Sequence, residues 1–336
     1  MESRPATISQ SIQLVVHSGY ERAFLYCEHI DRTESGTLAF VVGASGVGKT
    51  QLSKMIGPKI YKDNSQQTHP WIRVSLQNGS GGYFSSKDFI VDVLAEFRDP
   101  FRGLMGMLNE LPLDLVMKLE PVLGMLSRRR NQSEGEMRKA VAALAKALDC
   151  RMMILDEANI MILTKGGRLL ESHVESIRTL SIDMKVRTIL FGTIAVLAFM
   201  GYSAQINRIT HNVHFDRIRD DSEFGMIEFL SFLDGCERDI SLENGLLSRN
   251  ADAIYEASYG IPGEVVSLLE RASAHSFVHK GDRITLRDLE ASYPPAIVRK
   301  RMREEADLVE RVMKSRELDP REVLALLREQ GRVISP

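Results

Sequence analysis

Leu38-Ala39-Phe40-Val41-Val42-Gly43-Ala44-Ser45-Gly46-Val47-Gly48-Lys49-Thr50 is the stretch whose reading decides the fold. A short apolar run enters a glycine-rich turn and a helical pattern leaves it, so the order is strand, loop, helix. From Gly43 to Thr50 the residues fit G-x-x-x-x-G-K-[ST] in full. Each type has a physical reason. The glycines let the backbone wrap, so that N–H groups of the run Gly43, Ala44, Ser45, Gly46, Val47 and Gly48 face one anion at a helix N-terminus. Lys49 is placed to reach the β- and γ-phosphates of a nucleotide, and the Thr50 hydroxyl to ligate Mg²⁺. Average residue usage makes a chance match an event of about 1% in such a chain.

A loop of this kind needs a carboxylate on the metal side. Met152 to Leu155 is a continuous apolar run, as in a strand buried on both faces, and it ends in Asp156 and Glu157. Asp156 would hold Mg²⁺ through water, and Glu157 would polarise an attacking water. The second acid favours hydrolysis of ATP over transfer to a small molecule. Thr193 follows another apolar run, Arg187 to Phe191, at the sheet edge where ligands gather, and is suited to orient the lytic water. Arg208 comes after the next short helix, where it would reach a neighbouring subunit's nucleotide; Arg217 is the alternative for that role.

Outward from these motifs, Trp71 to Leu76 alternates as a strand and Ser85 to Phe97 is amphipathic, after a Gly/Ser-rich loop at 78–82. His211 to Phe215 reads as a fifth strand, and Ala140 to Leu148 and Leu169 to Lys185 as helices. Strands alternating with helices point to an α/β fold, a parallel sheet with helices on both faces. After Asp220 only helical spacing remains, in Glu223 to Leu233, Ala251 to Ser258 and Gly263 to Val278. Val298, Met302, Val309 and Met313 continue an apolar stripe, and a last helix is punctuated by Asp319, Pro320, Glu322 and Gly331. The expected organisation is an α/β nucleotide-binding domain over 1–218, a helical lid over 219–294 and a C-terminal helical extension over 295–336.

The 336 residues are 44% hydrophobic and 26% charged, which excludes a disordered tail, a collagen-like fibre or a coiled-coil rod. A net charge of −2 gives no global positive field, so any nucleic-acid surface must be local. The candidate is Arg128-Arg129-Arg130 with Arg138 and Lys139. A second cluster, Arg299-Lys300-Arg301 with Arg303, is interleaved with acids and reads as a charged solvent-facing surface. Cys27, Cys150 and Cys236 make neither a disulfide framework nor a zinc spacing, which fits a reducing cytoplasm. His275 and His279 are four apart on a helix, with no third ligand or adjacent acid in view. The longest apolar stretch, Thr188 to Tyr202, is too short for a membrane span of roughly 20 residues.

These motifs, with Phe191-Gly192-Thr193-Ile194-Ala195, Gln205-Ile206-Asn207-Arg208 and Val213-His214-Phe215-Asp216-Arg217, resemble the AAA+ transposition regulators of the TnsC/TniB group, relatives of the phage Mu B protein. The resemblance covers about residues 10 to 275. It implies an ATP-dependent adaptor that forms rings or helical filaments on duplex DNA and carries a target selector's signal to a transposase. It also implies that the basic segment before the Asp156 strand, Arg128, Arg129, Arg130 and Lys139, lines the DNA side. Two departures stand out. Arg208 is followed by Ile209 where the group has paired arginines, and Ile261-Pro262-Gly263-Glu264 lacks the group's lid arginine. Two other readings stay open: an initiator or helicase-loader type of AAA+ ATPase, and a signalling NTPase scaffold that leaves DNA alone.

Overall fold

The computed structural model describes residues 17–62, 69–77, 84–100, 117, 133–162, 169–201, 210–315 and 325. Its centre is one sheet of five parallel strands: β1 (Leu38–Val42), β2 (Trp71–Ser75), β3 (Met152–Asp156), β4 (Arg187–Gly192) and β5 (Thr210–His214). They lie in the order β2-β3-β4-β1-β5. Leu38 pairs with Thr188 on one side and Thr210 on the other, and Met152 lies between Trp71 and Arg187. Position in the sheet accounts for the sequence patterns. β1 and β3 have neighbours on both sides and are buried at every residue, so they are apolar runs. β2 lies at an edge, and only Ile72 and Val74 of its five residues are buried, so it alternates. Because all strands run one way, Gly43, Glu157 and Thr193 leave β1, β3 and β4 from their carboxyl ends, the edge at which such sheets bind ligands.

The helices are α1 (Ser18–Asp31), α2 (Lys49–Ile60), α3 (Ser86–Glu96), α4 (Glu134–Ala147), α5 (Leu169–Met184), α6 (Glu223–Arg238), α7 (Leu246–Arg249), α8 (Ala251–Ser258), α9 (Pro262–Val278), α10 (Leu286–Ala291) and α11 (Ala296–Lys314). Short 3₁₀ turns cover Ala158–Ile162 and Ile194–Gly201. Ser85 caps α3, its hydroxyl accepting from the Asp88 N–H at 3.2 Å. α4 begins six residues before the expected Ala140. Ser133 and Glu136 close a capping box there, and the charged first turns hide the apolar period. α1 is an addition to the expected elements. It buries Tyr20, Ala23, Cys27 and Ile30 at helical spacing, while Leu25 and Tyr26 face solvent. The 319–331 helix apart from residue 325, the 78–82 loop, Arg128, Arg129, Arg130 and Arg208 lie outside the described residues.

The chain divides into two compact units. The sheet unit holds Phe24–Val42 and Lys49–His214. The helical unit holds Phe215–Lys314 together with Gly43–Gly48 and residues up to Ala23. The boundary thus runs through the phosphate motif itself. The helical unit has its own core, in which Phe229, Leu233, Leu247, Ile254, Leu268 and Leu269 are fully covered. The three cysteines are free and buried, and burial pushes the Cys150 and Cys236 thiols up to about 12. Among the described residues no helix is long and apolar enough to cross a membrane.

Candidate nucleotide site

In the sheet unit, β3 ends at Asp156, which is 2% exposed. A buried carboxylate is costly unless it is met by donors, and here four groups meet it. Arg73 of β2 brings Nη2 to 2.6 Å from Asp156 Oδ2. The Ser53 hydroxyl of α2 lies 2.9 Å from the same oxygen and accepts from Arg73 Nε at 2.9 Å. Ser53 Oγ is also 2.8 Å from the Thr50 carbonyl, so its single proton serves one of these two acceptors at a time. Asp156 Oδ1 accepts the Glu157 N–H at 3.0 Å, and the Thr50 hydroxyl stands 3.5 Å from it, at the edge of hydrogen-bonding range.

The donor set suits a hard cation. Thr50 offers a neutral hydroxyl, and Asp156 keeps Oδ1 toward it while Oδ2 is committed to Arg73 and Ser53. Mg²⁺ takes few protein oxygens, retains waters and completes its shell from phosphates, which is what one hydroxyl and one carboxylate allow. Glu157 next to it is exposed, and its φ of 58° lies in the left-handed region. That conformation costs a non-glycine residue of order 1 kcal/mol or more and clusters at functional sites.

In the helical unit, the loop Gly43–Gly48 turns through two left-handed glycines, Gly46 at φ +82° and Gly48 at φ +106°. The first residues of α9 approach it closely. Gly263 N–H donates to the Gly46 carbonyl at 2.8 Å, and a Cβ on Gly263 would stand 2.6 Å from that oxygen. The segment without the expected lid arginine is therefore the one that must stay small to meet the loop. His17 hydrogen-bonds the Val47 backbone and stacks on Phe215 with ring centroids 5.8 Å apart; burial lowers its pKa to about 4, so it is neutral there at pH 7.

Thr193 is half-buried at the start of the 3₁₀ turn after β4, its carbonyl accepting from the Val196 N–H at 3.1 Å. Asn159, three residues past Asp156, has a buried amide oxygen without a partner that faces Gly192. Neither Arg73 nor Asn159 was marked by the motifs. Arg73 looked like the polar half of an alternating strand, and only the adjacency of β2 to β3 reveals its reach. Lys139 is exposed on α4, while Arg138 beside it pairs with Glu134 at 3.2 Å.

Arg217 is committed inside its own unit. Its side chain is 7% exposed, with Nε 2.9 Å from Glu310, Nη1 2.7 Å from the Tyr255 hydroxyl and the guanidinium 3.7 Å over the Tyr259 ring. A residue so enclosed is a poor candidate to reach another subunit. In the second basic cluster, Arg299 and Arg303 approach Glu256 and Lys300 approaches Glu304, which agrees with a charged surface. The His275 reading needs correction, for an acid does adjoin it: Asp288 Oδ1 lies 2.6 Å from His275 Nδ1. The other Asp288 oxygen caps Thr285, and these hydrogen bonds, then His275, lower its carboxyl to about 2. Among the described residues no His, Cys, Asp and Glu group could hold a metal by itself.

A hydroxyl and a strand-end acid pair on a parallel sheet, in a sequence that carries Gly43 to Thr50 as a complete G-x-x-x-x-G-K-T, are those of a P-loop nucleotide-binding domain. Residues 32–199, half of the chain, match the AAA domain family, and the chain belongs to it. No curated protein matches. Among solved structures, the chain is similar to the ORC2 protein of Aeropyrum pernix in its ADP form, with TM-score 0.55 and 13% identity over 93% of this chain and 85% of that one. The ORC1 protein of the same organism in complex with DNA gives TM-score 0.55 and 11% identity over 95% and 84%. A Walker-type ATPase of Pyrococcus abyssi gives 0.53 and 17% over 96% and 81%. At these identities the likeness is one of fold.

Proposed function

We propose that this chain is a Mg²⁺-dependent ATPase whose ATP-bound form assembles on duplex DNA, as a ring or helical filament, and links a target-selecting protein to a transposase. The observation that carries the ATPase reading is the Asp156–Glu157 pair. One acid is buried and held by Arg73 and Ser53 with an oxygen left toward Thr50; the next is exposed on a strained backbone. Gly43 to Gly48 and Lys49 bind the phosphates, and Thr50 and Asp156 hold Mg²⁺, which when bound offsets charge on the phosphoryl oxygens. Glu157 takes the proton side of the attacking water, and Thr193 orients that water. Arg208 acts from a neighbouring subunit, which makes hydrolysis depend on assembly.

The transposition part rests on the TnsC/TniB resemblance. The DNA part rests on that resemblance and on Arg128, Arg129, Arg130 and Lys139. With a net charge of −2, weak contacts repeated along an oligomer must hold the duplex. A second reading, an initiator-type AAA+ ATPase, is favoured by the fold likeness to an ORC1 protein whose solved structure is in complex with DNA. Negative-stain microscopy of the chain with ATP and plasmid DNA separates the two: a continuous coat indifferent to sequence supports the adaptor, and occupancy of discrete sites supports the initiator. Bare plasmid at low salt with ATP present would end both. Lys49→Ala should lose ATP binding and any DNA coat together.

A further inference from the structure

The phosphate loop already holds an acid of its own chain. Ser45 N–H donates to Glu305 Oε1 at 3.0 Å, although 260 residues separate them. Glu305 is not a stray surface side chain. Val298, Met302, Glu305, Val309 and Val312 recur at four- and three-residue spacing and so share one face of α11. Val309 and Val312 on that face are buried, at 1% and 8% exposure. Glu305 stands between exposed Val298, at 46%, and buried Val309 on this face; it is partly covered, and its contact with the loop is open to solvent. α11 is also pinned on both sides of Glu305. Arg303 Nη2 donates to the Glu256 carbonyl at 2.8 Å, Asp307 accepts from the Tyr259 hydroxyl at 2.6 Å, and Glu310 holds Arg217 at 2.9 Å.

We propose that Glu305 is a built-in competitor of nucleotide: its carboxylate occupies an anion-binding N–H of the phosphate loop, and the phosphates of ATP or ADP must displace it. This rests on the phosphate-loop reading above and adds its regulation. Two anions cannot share one N–H, and their like charges repel. Anything that seats α11 more firmly therefore weakens nucleotide binding, and by linkage nucleotide loosens the seat of α11 to the same degree.

The test is titration of the full chain with fluorescent ATP, ADP and AMP analogues in Mg²⁺. Glu305→Gln removes the charge and Glu305→Ala the whole competitor; both should lower the Kd for ATP and ADP by about tenfold. The AMP Kd should change less, because AMP lacks the β- and γ-phosphates that the loop cradles. Glu304→Gln, which alters an exposed neighbour facing Lys300, should leave all three unchanged. ATP affinities within twofold of the parent in both Glu305 variants, or equal gains for AMP and ATP, would overturn the proposal while leaving the phosphate loop intact. If neither the parent nor any variant bound ATP, the phosphate-loop reading itself would fail.

Discussion

Each compact unit buries an arginine–carboxylate pair, and the two pairs do opposite work. In the sheet unit Arg73 meets Asp156 at 2.6 Å, and in the helical unit Arg217 meets Glu310 at 2.9 Å. Arg217 spends its donors on Glu310, the Tyr255 hydroxyl and the Tyr259 carbonyl, with the Tyr259 ring beneath. That pair is a clamp. Asp156 instead divides its two oxygens, Oδ2 taken by a cation and a hydroxyl, Oδ1 by one backbone N–H and a distant threonine. Capacity left over on a rigid, prepaired acid separates a site from a clamp, although the ingredients are the same.

The sharpest way to break this contrast is Glu157→Gln beside Asp156. Steady-state ATP turnover should fall by at least about 10²-fold, with nucleotide binding retained, because the variant keeps the shape and loses the base. Parental turnover would reduce Glu157 to a strained turn.

Next comes the clamp. Arg217→Met leaves Glu310 buried with only the flanking Arg219 and Lys314 at 3.8 and 3.7 Å, and should cost roughly 3 kcal/mol in chemical unfolding. Arg73→Met should cost less, about 2 kcal/mol, since Ser53 and the Glu157 N–H still serve Asp156. It should also lower the Mg²⁺ concentration needed for half-maximal ATP binding, because the acid is no longer partly neutralised. A Mg²⁺ requirement changed as much by Arg217→Met as by Arg73→Met would erase the distinction.

The smallest effect is confined to acid. His17 titrates near 6.5 when unfolded and at about 4 when folded, because burial opposes its charge. Between those values the unfolded chain binds more protons, so stability falls as pH drops from about 6.5 toward 4. His17→Phe should flatten that part of the acid limb in urea unfolding at pH 7.5 and 5, with the pH 7.5 curve serving as reference.

How far the sequence could be read follows from the same physics. Central parallel strands must be apolar on both faces, so β1 and β3 were visible as runs, and their ends carried Gly43 to Thr50 and Asp156. α1 was not visible, because Leu25 and Tyr26 break its stripe and no motif marks it. Arg73 was hidden for a different reason: it stands opposite Ile154, and its link to Asp156 exists only once β2 is known to pair with β3. Glu305 is one more acid among the charges of α11 in sequence, since nothing local indicates a partner 260 residues away.

The buried cysteines make the molecule convenient to instrument. Cys27, Cys150 and Cys236 are enclosed, and burial holds each thiol far above its ordinary pKa, so almost no reactive thiolate exists at neutral pH. A single Arg301→Cys change at this exposed position would be the preferred target of a maleimide dye without removing any native cysteine. One coloured reporter on α11 could then follow nucleotide and DNA additions in real time, on an otherwise unaltered protein.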